Sequence, residues 1–352
     1  MRLLACAINF GLGPAGKLCS IVCGNKNHQW YACGDKLDMS IYEESPFRDY
    51  CWSKDKKTLE RFLKKNDIKH AVNVLDPKLA ITLTSLGVKV IYIDSLPFMW
   101  TELDIIPYEV DYYCAQKYPG FVKNPVLEKV KNLLWIDPIV INCSEPKISN
   151  KKIVINFGGL HSPYGDGQSY MELILKSLLK IVPLEKICVT GGDNVVKLIN
   201  NLFPEISCQT YVHEQFLNLV LNSELFFTSP GLTTIYETCN MDIKTIILPP
   251  QNLSQFYNSA IAQTICKKVK VLNWGIKELS LEHISSQFKN SPEEKTVEYI
   301  YDQITLLSKN HAFTNRLCNN FRRMLEQEYS VNKLNYLTGN GVLDVSKLIE
   351  MF

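Results

Sequence analysis

The sequence predicts an α/β protein built from two doubly wound domains. Three observations support this fold class. The 352 residues are enough for two hydrophobic cores, short apolar runs alternate with helical patterns, and both halves place glycine-rich turns directly after apolar runs. Alternating strand and helix patterns are typical of a parallel sheet covered by helices on both faces. We therefore expect two Rossmann-like domains facing a cleft, with a ligand bound in that cleft.

The first half opens with a strand at 3–10, a glycine-rich turn and a helix that runs to residue 22. The turn contains Gly11, Gly13 and Gly16 and is followed by Lys17. It is not a complete dinucleotide fingerprint, because no acidic residue stands at a clear end of the second strand. Gly13 and Gly16 could border an acceptor site, or the turn could simply let strand and helix pack closely. Lys17 could pair with a carboxylate or a phosphate, or lie exposed.

The rest of the first half continues the alternation with strands at 30–33, 70–75, 88–94 and 132–139, helices at 56–65 and 78–86, and a polar segment at 35–50. The segment from Asp94 to Trp100 follows a strand, at the edge where open α/β sheets place ligands. Phe98 and Trp100 could stack on a planar acceptor, or form a hydrophobic lid on their own domain. Gln116 is expected to line the same cleft.

A polar linker at 142–150 separates the two halves. The second half is predicted to hold strands at 152–157, 186–190, 207–212, 224–228 and 269–273, and helices at 169–181, 194–202, 213–222 and 254–267. The last 70 residues or so have mostly helical patterns. These features predict an acceptor-side domain at 1–148, a nucleotide-binding domain at 149–330 and a helical segment at 331–352. The final helices could cross back over the first domain, and the sequence leaves that open.

The segment from Ser229 to Glu237 predicts a phosphate site. A strand leads into Ser229, Pro230 and Gly231, and a helix can begin at residue 232 with Thr233 and Thr234 in its first turn. The first turn of a helix has unpaired N–H groups and a partial positive charge, both of which attract phosphate. Glu237 lies about one turn further along. Its negative charge would repel phosphate, so we expect it to accept hydrogen bonds from a ribose diol.

Other polar residues are predicted to reach the same edge. A second strand-to-loop step brings Gln251, Asn252 and Gln255 there, next to the sugar of a nucleotide-sugar. Gly159 and His161 lie in the glycine-rich loop at 158–167. His213 starts a helix after another strand, a place suited to a nucleotide base, and Glu214 beside it could instead supply first-turn helix charge.

Phe157-Gly-Gly159, Ser229-Pro-Gly-Leu-Thr-Thr-Ile-Tyr-Glu237 and the later Gln255 together resemble the GT-B glycosyltransferases that use UDP-sugars. The resemblance implies that Glu237 binds the ribose, that Gly231 to Thr234 bind the diphosphate, and that Gln255 touches the donor sugar. Ser229 stands where many members have histidine. The imidazole contact to phosphate would then be lost, or moved to His161.

Three further segments are similar to the cytosylglucuronate synthases of nucleoside-antibiotic biosynthesis: Asn9 to Lys17, Asp94 to Trp100, and Tyr113 to Gly120. That similarity implies transfer of glucuronate from UDP-glucuronic acid to cytosine or hydroxymethylcytosine. The expected partners are therefore a UDP-sugar donor and a small planar, cytosine-like acceptor.

No Asp-x-Asp motif occurs in the chain, so we expect no metal and no cofactor besides the UDP-sugar co-substrate. Helix N-termini and side-chain donors would then stabilise the leaving group. An α-linked donor that gives a β-glycoside requires inversion, and a general base on the acceptor side must remove the acceptor's proton. Asp94 is the first candidate for that base by position and Asp35 the second, although either could merely cap a turn.

Three other functions stay open at this point. The chain could be a GT-B transferase with a different UDP-sugar and acceptor, a UDP-sugar epimerase, or a non-catalytic nucleotide-sugar-binding protein. The aromatic segment at 94–100 favours an acceptor site and hence a transferase.

Composition excludes other classes of partner. The chain is 46% hydrophobic and 21% charged, and its 38 basic and 36 acidic residues give a formal charge of +2. That balance provides no electrostatic case for nucleic acid or an anionic membrane. No apolar run has the length of a membrane span or a signal segment, and the twelve scattered cysteines are typical of reduced thiols. We therefore expect a cytoplasmic protein, and the sequence leaves its oligomeric state open.

Overall fold

A computed structural model describes residues 1–34, 46–118, 124–140, 152–159, 165, 167–241, 243–265, 269–289, 291–327 and 340–352. The predicted linker at 142–150, His161 and Asp35 lie outside these ranges. The chain forms two compact units, one comprising Met1–Ile141 with Leu337–Phe352 and the other Asn142–Tyr336.

The first unit is a parallel sheet with helices on it. Its elements in chain order are β1 Arg2–Ala7, α1 Gly13–Gly24, β2 Gln29–Cys33, β3 Phe47–Cys51, α2 Lys56–Asn66, β4 His70–Val74, α3 Pro77–Ser85, β5 Lys89–Asp94, β6 Tyr112–Gln116 and β7 Leu133–Ile136. The strands lie in the order β3-β2-β1-β4-β5-β6-β7. One apolar cluster lies on each face of this sheet, which explains why its central strands read as continuous apolar runs.

Two strands of this sheet were missed by the sequence pattern. β3 falls in the segment predicted to be polar, because Arg48 and Asp49 interrupt its apolar residues at the sheet edge. β6 consists of only five residues, Tyr112–Gln116, of which the sequence suggested Gln116 as a cleft-lining side chain. Both strands are defined by pairing with a neighbour, and the pairing is not visible in a single short run.

The second unit repeats the design with six parallel strands. Its elements are β8 Ile153–Asn156, α4 Gln168–Leu178, β9 Ile187–Thr190, α5 Asp193–Leu202, β10 Ser207–Gln209, α6 His213–Leu221, β11 Leu225–Thr228, α7 Leu232–Asn240, β12 Thr245–Ile247, α8 Leu253–Ile265, β13 Val269–Val271, α9 Leu281–Gln287, α10 Glu293–Ser308 and α11 His311–Glu326. The strand order is β10-β9-β8-β11-β12-β13. The predicted fold class of two parallel-sheet α/β domains is therefore confirmed.

The last helix, α12 (Gly341–Glu350), packs in the first unit. Its Val345 and Ile349 are buried in the same apolar cluster as β1. Gly341, the first residue of the helix, packs closely against the backbone of Asp137. A Cβ at this position would overlap the carbonyl oxygen of Asp137. The Asp344 carboxylate accepts a hydrogen bond from the Asp137 N–H at 3.1 Å, which fastens the first turn of α12 to the end of β7.

The order of strands reverses at one place in each sheet. In the first unit the chain moves outward in both directions from β1 and β4, and in the second unit from β8 and β11. Ligands of open α/β sheets bind outside the carboxyl ends of the strands at such a switch point. Each unit therefore has one edge where a site is expected.

Candidate functional site

The switch point of the second unit is held together by Asn156, the last residue of β8. Its amide Nδ2 donates to Thr228 Oγ1 on β11 at 3.2 Å, and its backbone oxygen accepts from the Ser229 N–H at 2.8 Å. Its side-chain oxygen accepts from the Gly158 N–H at 2.8 Å. One buried asparagine thus joins the predicted glycine-rich loop to the start of the Ser229 segment.

The loop after β8 needs glycine for two reasons. Gly158 has φ of +68°, a left-handed conformation that favours glycine. Its carbonyl oxygen also accepts from the Gly192 N–H at 2.9 Å, and a Cβ on Gly191 would come within 2.9 Å of that oxygen. The loops after β8 and β9 therefore pack backbone against backbone, and Gly159 lies partly exposed between them and the sheet edge.

The N-terminus of α7 has the form predicted for an anion site. Gly231 is the N-cap and supplies no side-chain cap, and the first turn contains no acidic residue. The helix begins at Leu232, as predicted, with Thr233 buried and Thr234 partly exposed. Asn258 Nδ2 donates to the Pro230 oxygen at 2.9 Å and fixes the approach to the helix. First-turn N–H groups that lack a side-chain partner are suited to an anion.

Glu237 lies on the same helix and is 1% exposed. Its Oε1 lies 2.8 Å from Nε2 of His213, which is the first residue of α6. Its Oε2 is buried and has no hydrogen-bond partner among the described residues. An unpaired buried carboxylate oxygen costs free energy, about 1 to 3 kcal/mol for a typical polar group. A group retained at such a cost is a candidate for binding something.

The loop that follows β12 is fixed by side chains from three directions. Tyr170 donates to the Pro249 oxygen at 2.8 Å, and Trp274 Nε1 donates to the Pro250 oxygen at 2.6 Å. The Tyr301 hydroxyl donates to Gln251 Oε1 at 2.9 Å. These contacts hold the backbone of the loop against the core and leave little freedom to the polar residues it carries.

Gln251, Asn252 and Gln255 are indeed brought together in this loop. The Gln251 N–H donates to Gln255 Oε1 at 3.0 Å, and Asn252 Oδ1 accepts from the Gln255 N–H at 3.0 Å. These hydrogen bonds hold the three residues together at the start of α8. Their role as contacts to a donor sugar stays a prediction.

Asp94, the first candidate for a general base, is enclosed by hydrogen-bond donors. It is 0% exposed, and its two oxygens accept from the Leu96 N–H at 2.8 Å, Trp100 Nε1 at 2.7 Å and the Tyr113 hydroxyl at 2.8 Å. Burial raises the pKa of the carboxyl group to about 6, although these three hydrogen bonds act to lower it. Asp94 therefore holds the segment at 95–100 in place, and its role as a general base stays a prediction.

The aromatic segment is fastened at its other end as well. Asn124 Nδ2 donates to the backbone oxygens of Pro97 and Trp100, both at 2.9 Å. Phe98 is half-buried and its ring meets that of Tyr118 edge-on, with centroids 4.9 Å apart. The segment is thus an ordered surface at the carboxyl end of β5, and its role in binding an acceptor stays a prediction.

The remaining acceptor-side residues lie on β6 and α1. Gln116 ends β6, is 1% exposed, and accepts from the Ile139 N–H at 3.3 Å through Oε1. Gly13 and Gly16 lie in the first turns of α1, and a Cβ built on Gly16 would meet no atom within 4 Å. Lys17 is 2% exposed, so the sequence-based alternative of an exposed lysine is wrong.

Sequence reasoning missed the polar residues at the first unit's own switch point. Lys54 Nζ lies 2.9 Å from Asp76 Oδ2, and Asp76 Oδ1 also accepts from the Leu79 N–H to cap α3. Between β4 and this cap, Leu75 adopts φ of +59°, an uncommon conformation for a non-glycine residue. The Asp-Pro pair at 76–77 was the available signal, since it marks the start of a helix at a strand end.

Within the described ranges, no group of three or more His, Cys, Asp or Glu side chains is arranged to hold a metal ion. No helix in the same ranges combines the length and apolar character needed to cross a membrane. The ten cysteines that the structure describes are free thiols.

No protein-family model matches the chain, and no curated protein matches its sequence. Solved structures match it over essentially their whole length. They include MurG of Acinetobacter baumannii (TM-score 0.52, 10% identity, 100% of both chains covered) and the UDP-GlcNAc 2-epimerase of Methanocaldococcus jannaschii (TM-score 0.52, 12% identity, 100% of both chains). A third is the spinosyn rhamnosyltransferase SpnG complexed with thymidine diphosphate (TM-score 0.53, 9% identity, 99% of this chain and 100% of that one). At such low identity the likeness concerns architecture, and the chain has the two-domain GT-B fold found in glycosyltransferases.

Proposed function

We propose that this protein is a glycosyltransferase that uses a UDP-sugar, and that the donor binds at the carboxyl ends of β8 and β11. The observation that carries the proposal is Glu237, whose buried carboxylate has one oxygen without a partner among the described residues. It lies just beyond a helix N-terminus whose N-cap residue makes no side-chain hydrogen bond. A nucleoside diphosphate contains the two groups that such a pair would bind, an anion and a hydroxyl-bearing ring.

The charge of each group indicates which part of the donor it would bind. The first turn of α7, with the backbone after Gly231 and the hydroxyls of Thr233 and Thr234, is suited to the diphosphate. Glu237 repels phosphate and accepts from a ribose hydroxyl. Asn156 holds Gly158 and Ser229 at the same edge through its hydrogen bonds, and Gly159 follows Gly158 in the loop. Gln251, Asn252 and Gln255 would face the sugar. His161, which lies outside the described residues, is the remaining candidate for an imidazole contact to phosphate.

The neighbours of the fold agree with this class of ligand. SpnG is described as a rhamnosyltransferase complexed with thymidine diphosphate, and the neighbour from Methanocaldococcus jannaschii acts, by its name, on UDP-GlcNAc. Both names point to nucleotide-sugars as the ligands of this architecture.

For the reaction itself we propose inverting, metal-independent transfer of glucuronate from UDP-glucuronic acid to cytosine or hydroxymethylcytosine. The support is the sequence similarity of the segments at 9–17, 94–100 and 113–120 to cytosylglucuronate synthases. The acceptor nitrogen would attack the anomeric carbon from the face opposite the departing UDP, and its proton would pass to a base on the acceptor side. The ordered aromatic surface of Phe98 and Trp100 would stack on the planar acceptor, bordered by Gly13, Gly16 and Gln116. Lys17 would balance the glucuronate carboxylate.

The test begins with binding. We expect UDP to raise the thermal unfolding midpoint, and we expect UMP to raise it less because the α7 site is built for a second phosphate. Glu237→Ala should reduce the shift caused by UDP, whereas Glu205→Gln, an exposed carboxylate in the same unit, should leave it unchanged. An equal shift in the Glu237 variant would contradict the assigned site.

The second step tests the reaction. The protein is incubated with UDP-glucuronic acid, with and without cytosine or hydroxymethylcytosine, and the products are analysed by mass spectrometry. We expect UDP release that depends on the acceptor, together with the mass of an acceptor joined to glucuronate. If UDP is released only with another sugar donor, the protein is still a transferase, but UDP-glucuronic acid is not its donor.

One alternative has an observation of its own. The likeness to a UDP-GlcNAc 2-epimerase over the whole of both chains makes a UDP-sugar epimerase the second candidate. An epimerase would convert a UDP-sugar without any added acceptor, so conversion in the absence of acceptor would favour it. Binding of UDP-sugars without any conversion would instead indicate a non-catalytic nucleotide-sugar-binding protein.

A further inference from the structure

His213 and Glu237 come from different helices and meet at the edge of the second sheet. The imidazole Nε2 lies 2.8 Å from Glu237 Oε1. An ionised carboxylate only accepts hydrogen bonds, so Nε2 carries the proton and donates it. The hydrogen bond therefore uses one of the two carboxylate oxygens before any ligand is present.

The imidazole is itself held in place by its helix. His213 is the first residue of α6, whose Leu217 and Val220 are buried, and its ring lies 6.4 Å from that of Phe216. The Phe216 ring in turn meets Phe226 of β11 edge-on at 6.0 Å. The donor to Oε1 is thus anchored to the same strand that leads into the Ser229 segment.

The two carboxylate oxygens are consequently not equivalent. Oε1 has a short contact to a charge-assisted donor, whereas Oε2 is buried without a partner among the described residues. A carboxylate that binds a vicinal diol symmetrically offers equivalent oxygens to the two hydroxyls. In this structure Oε1 already accepts one hydrogen bond, so the two hydroxyls would meet unequal acceptors.

We propose that His213 is a positioning residue that occupies one acceptor position of Oε1, and that Glu237 therefore binds the two ribose hydroxyls unequally, with the stronger hydrogen bond on Oε2. This inference rests on the proposed function, and it refines the diol contact of Glu237 that the sequence suggested. It also makes His213 a determinant of which sugar hydroxyl of the nucleotide contributes more to binding.

Solvent exposure differs between the two members of the pair. The His213 side chain is 16% exposed, whereas that of Glu237 is 0% exposed. The imidazole is therefore the more accessible of the two.

The experiment compares UDP with 2′-deoxy-UDP and 3′-deoxy-UDP by titration calorimetry on the full-length protein. We expect loss of one hydroxyl to weaken binding at least about tenfold and loss of the other to weaken it less than about threefold. Equal losses for the two analogues would overturn the inference of unequal binding, because they would show that the two hydroxyls are bound equally.

Two His213 variants test the positioning role. His213→Ala frees Oε1 and lets the carboxyl group turn, so the difference between the two deoxy analogues should shrink to less than about threefold. His213→Gln places an amide N–H near the position of Nε2 and should restore the difference. A merely structural role for His213 would weaken all three nucleotides by the same factor, and that result would overturn the inference.

The two proposals fail in distinguishable ways. A wild-type protein that binds UDP but shows equal losses for the deoxy analogues would retain the proposed function and refute the role of His213. A wild-type protein that binds none of the three nucleotides would refute both. The wild-type comparison needs no variant, so it decides the matter even if His213→Ala does not fold.

Discussion

The carboxyl ends of the two sheets each contain a fully buried carboxylate, and the surroundings of the two groups are opposite. Asp94 in the first unit is surrounded by three donors, from the backbone of Leu96 and the side chains of Trp100 and Tyr113. Glu237 in the second unit has one donor, His213, and an oxygen without a partner among the described residues. Asp94 is the last residue of β5 and Glu237 lies on α7, the helix that follows β11, and the two carboxylates differ in the number of donors they receive.

The difference distinguishes a carboxylate with three donors from one with a single donor. Three hydrogen bonds to a buried acid contribute to folding. A buried acid with an unpartnered oxygen lowers stability and is retained where a ligand completes its hydrogen bonds. The role of Asp94 as a general base and that of Glu237 as a ribose contact both stay predictions.

The largest effect on stability is expected from Asp94→Ala. The substitution leaves two side-chain donors and one backbone N–H without an acceptor in the core, so we expect a loss of about 3 kcal/mol or more in the free energy of unfolding. Urea denaturation measures this. The matched control is Glu102→Ala, which removes an exposed carboxylate near the same segment and should not move the midpoint. An unchanged midpoint in the Asp94 variant would contradict its structural role.

The next effect is a dependence on pH. Burial raises the pKa of Asp94 to about 6 from an ordinary 3.8, so the folded protein holds this proton more tightly than the unfolded chain does. The associated stability is complete below about pH 4 and is lost as the pH rises through about 6. The difference in unfolding free energy between wild type and Asp94→Asn should change by roughly 3 kcal/mol between pH 4 and pH 7.

The comparison of wild type with Asp94→Asn contains its own control for other groups that titrate with pH. Carboxylates such as Asp55 and Glu172, whose pKa values are lowered by hydrogen bonds, act in the opposite direction but are present in both proteins and cancel. A difference that stays constant over this range of pH would show that Asp94 has an ordinary pKa in the folded protein.

The smallest effect on stability is expected at Glu237, and with the opposite sign. Glu237→Gln keeps an oxygen for His213 and replaces the unpartnered charged oxygen by a neutral amide. Without ligand the variant should be as stable as wild type or up to about 1 kcal/mol more stable, while its affinity for UDP falls at least about tenfold. Thermal unfolding and titration calorimetry measure the two quantities. A variant that loses stability without losing affinity would assign Glu237 the same structural role as Asp94.

The sequence predicted much of the second unit. The strand before Ser229, the start of α7 at Leu232 and the place of Glu237 on that helix are all present. These features are local, because glycine, proline and the apolar pattern decide where a strand stops and a helix begins. β3 and β6 were missed because an edge strand with charged residues and a five-residue strand have little local signal.

The first unit was less predictable at its site. The sequence placed Asp94 correctly at the end of β5, but the donors that surround it come from positions 2, 6 and 19 residues further along. Lys54 and Asp76 are 22 residues apart and form an ion pair that no spacing rule suggests. Burial of Lys17 was likewise invisible, because it depends on how the helix lies on the sheet.

By itself, the sequence determined the α/β class, the two glycine-punctuated halves and the helix start that offers its N–H groups to an anion. Those properties follow from backbone preferences and apolar periodicity within a few residues. Only the tertiary structure decided that the buried carboxylate of Asp94 accepts three hydrogen bonds, and that Glu237 has one oxygen without a partner among the described residues. Hydrogen-bond partners such as His213 and Tyr113 are supplied by other elements of the fold, and the packing of those elements fixes how many donors each acid receives.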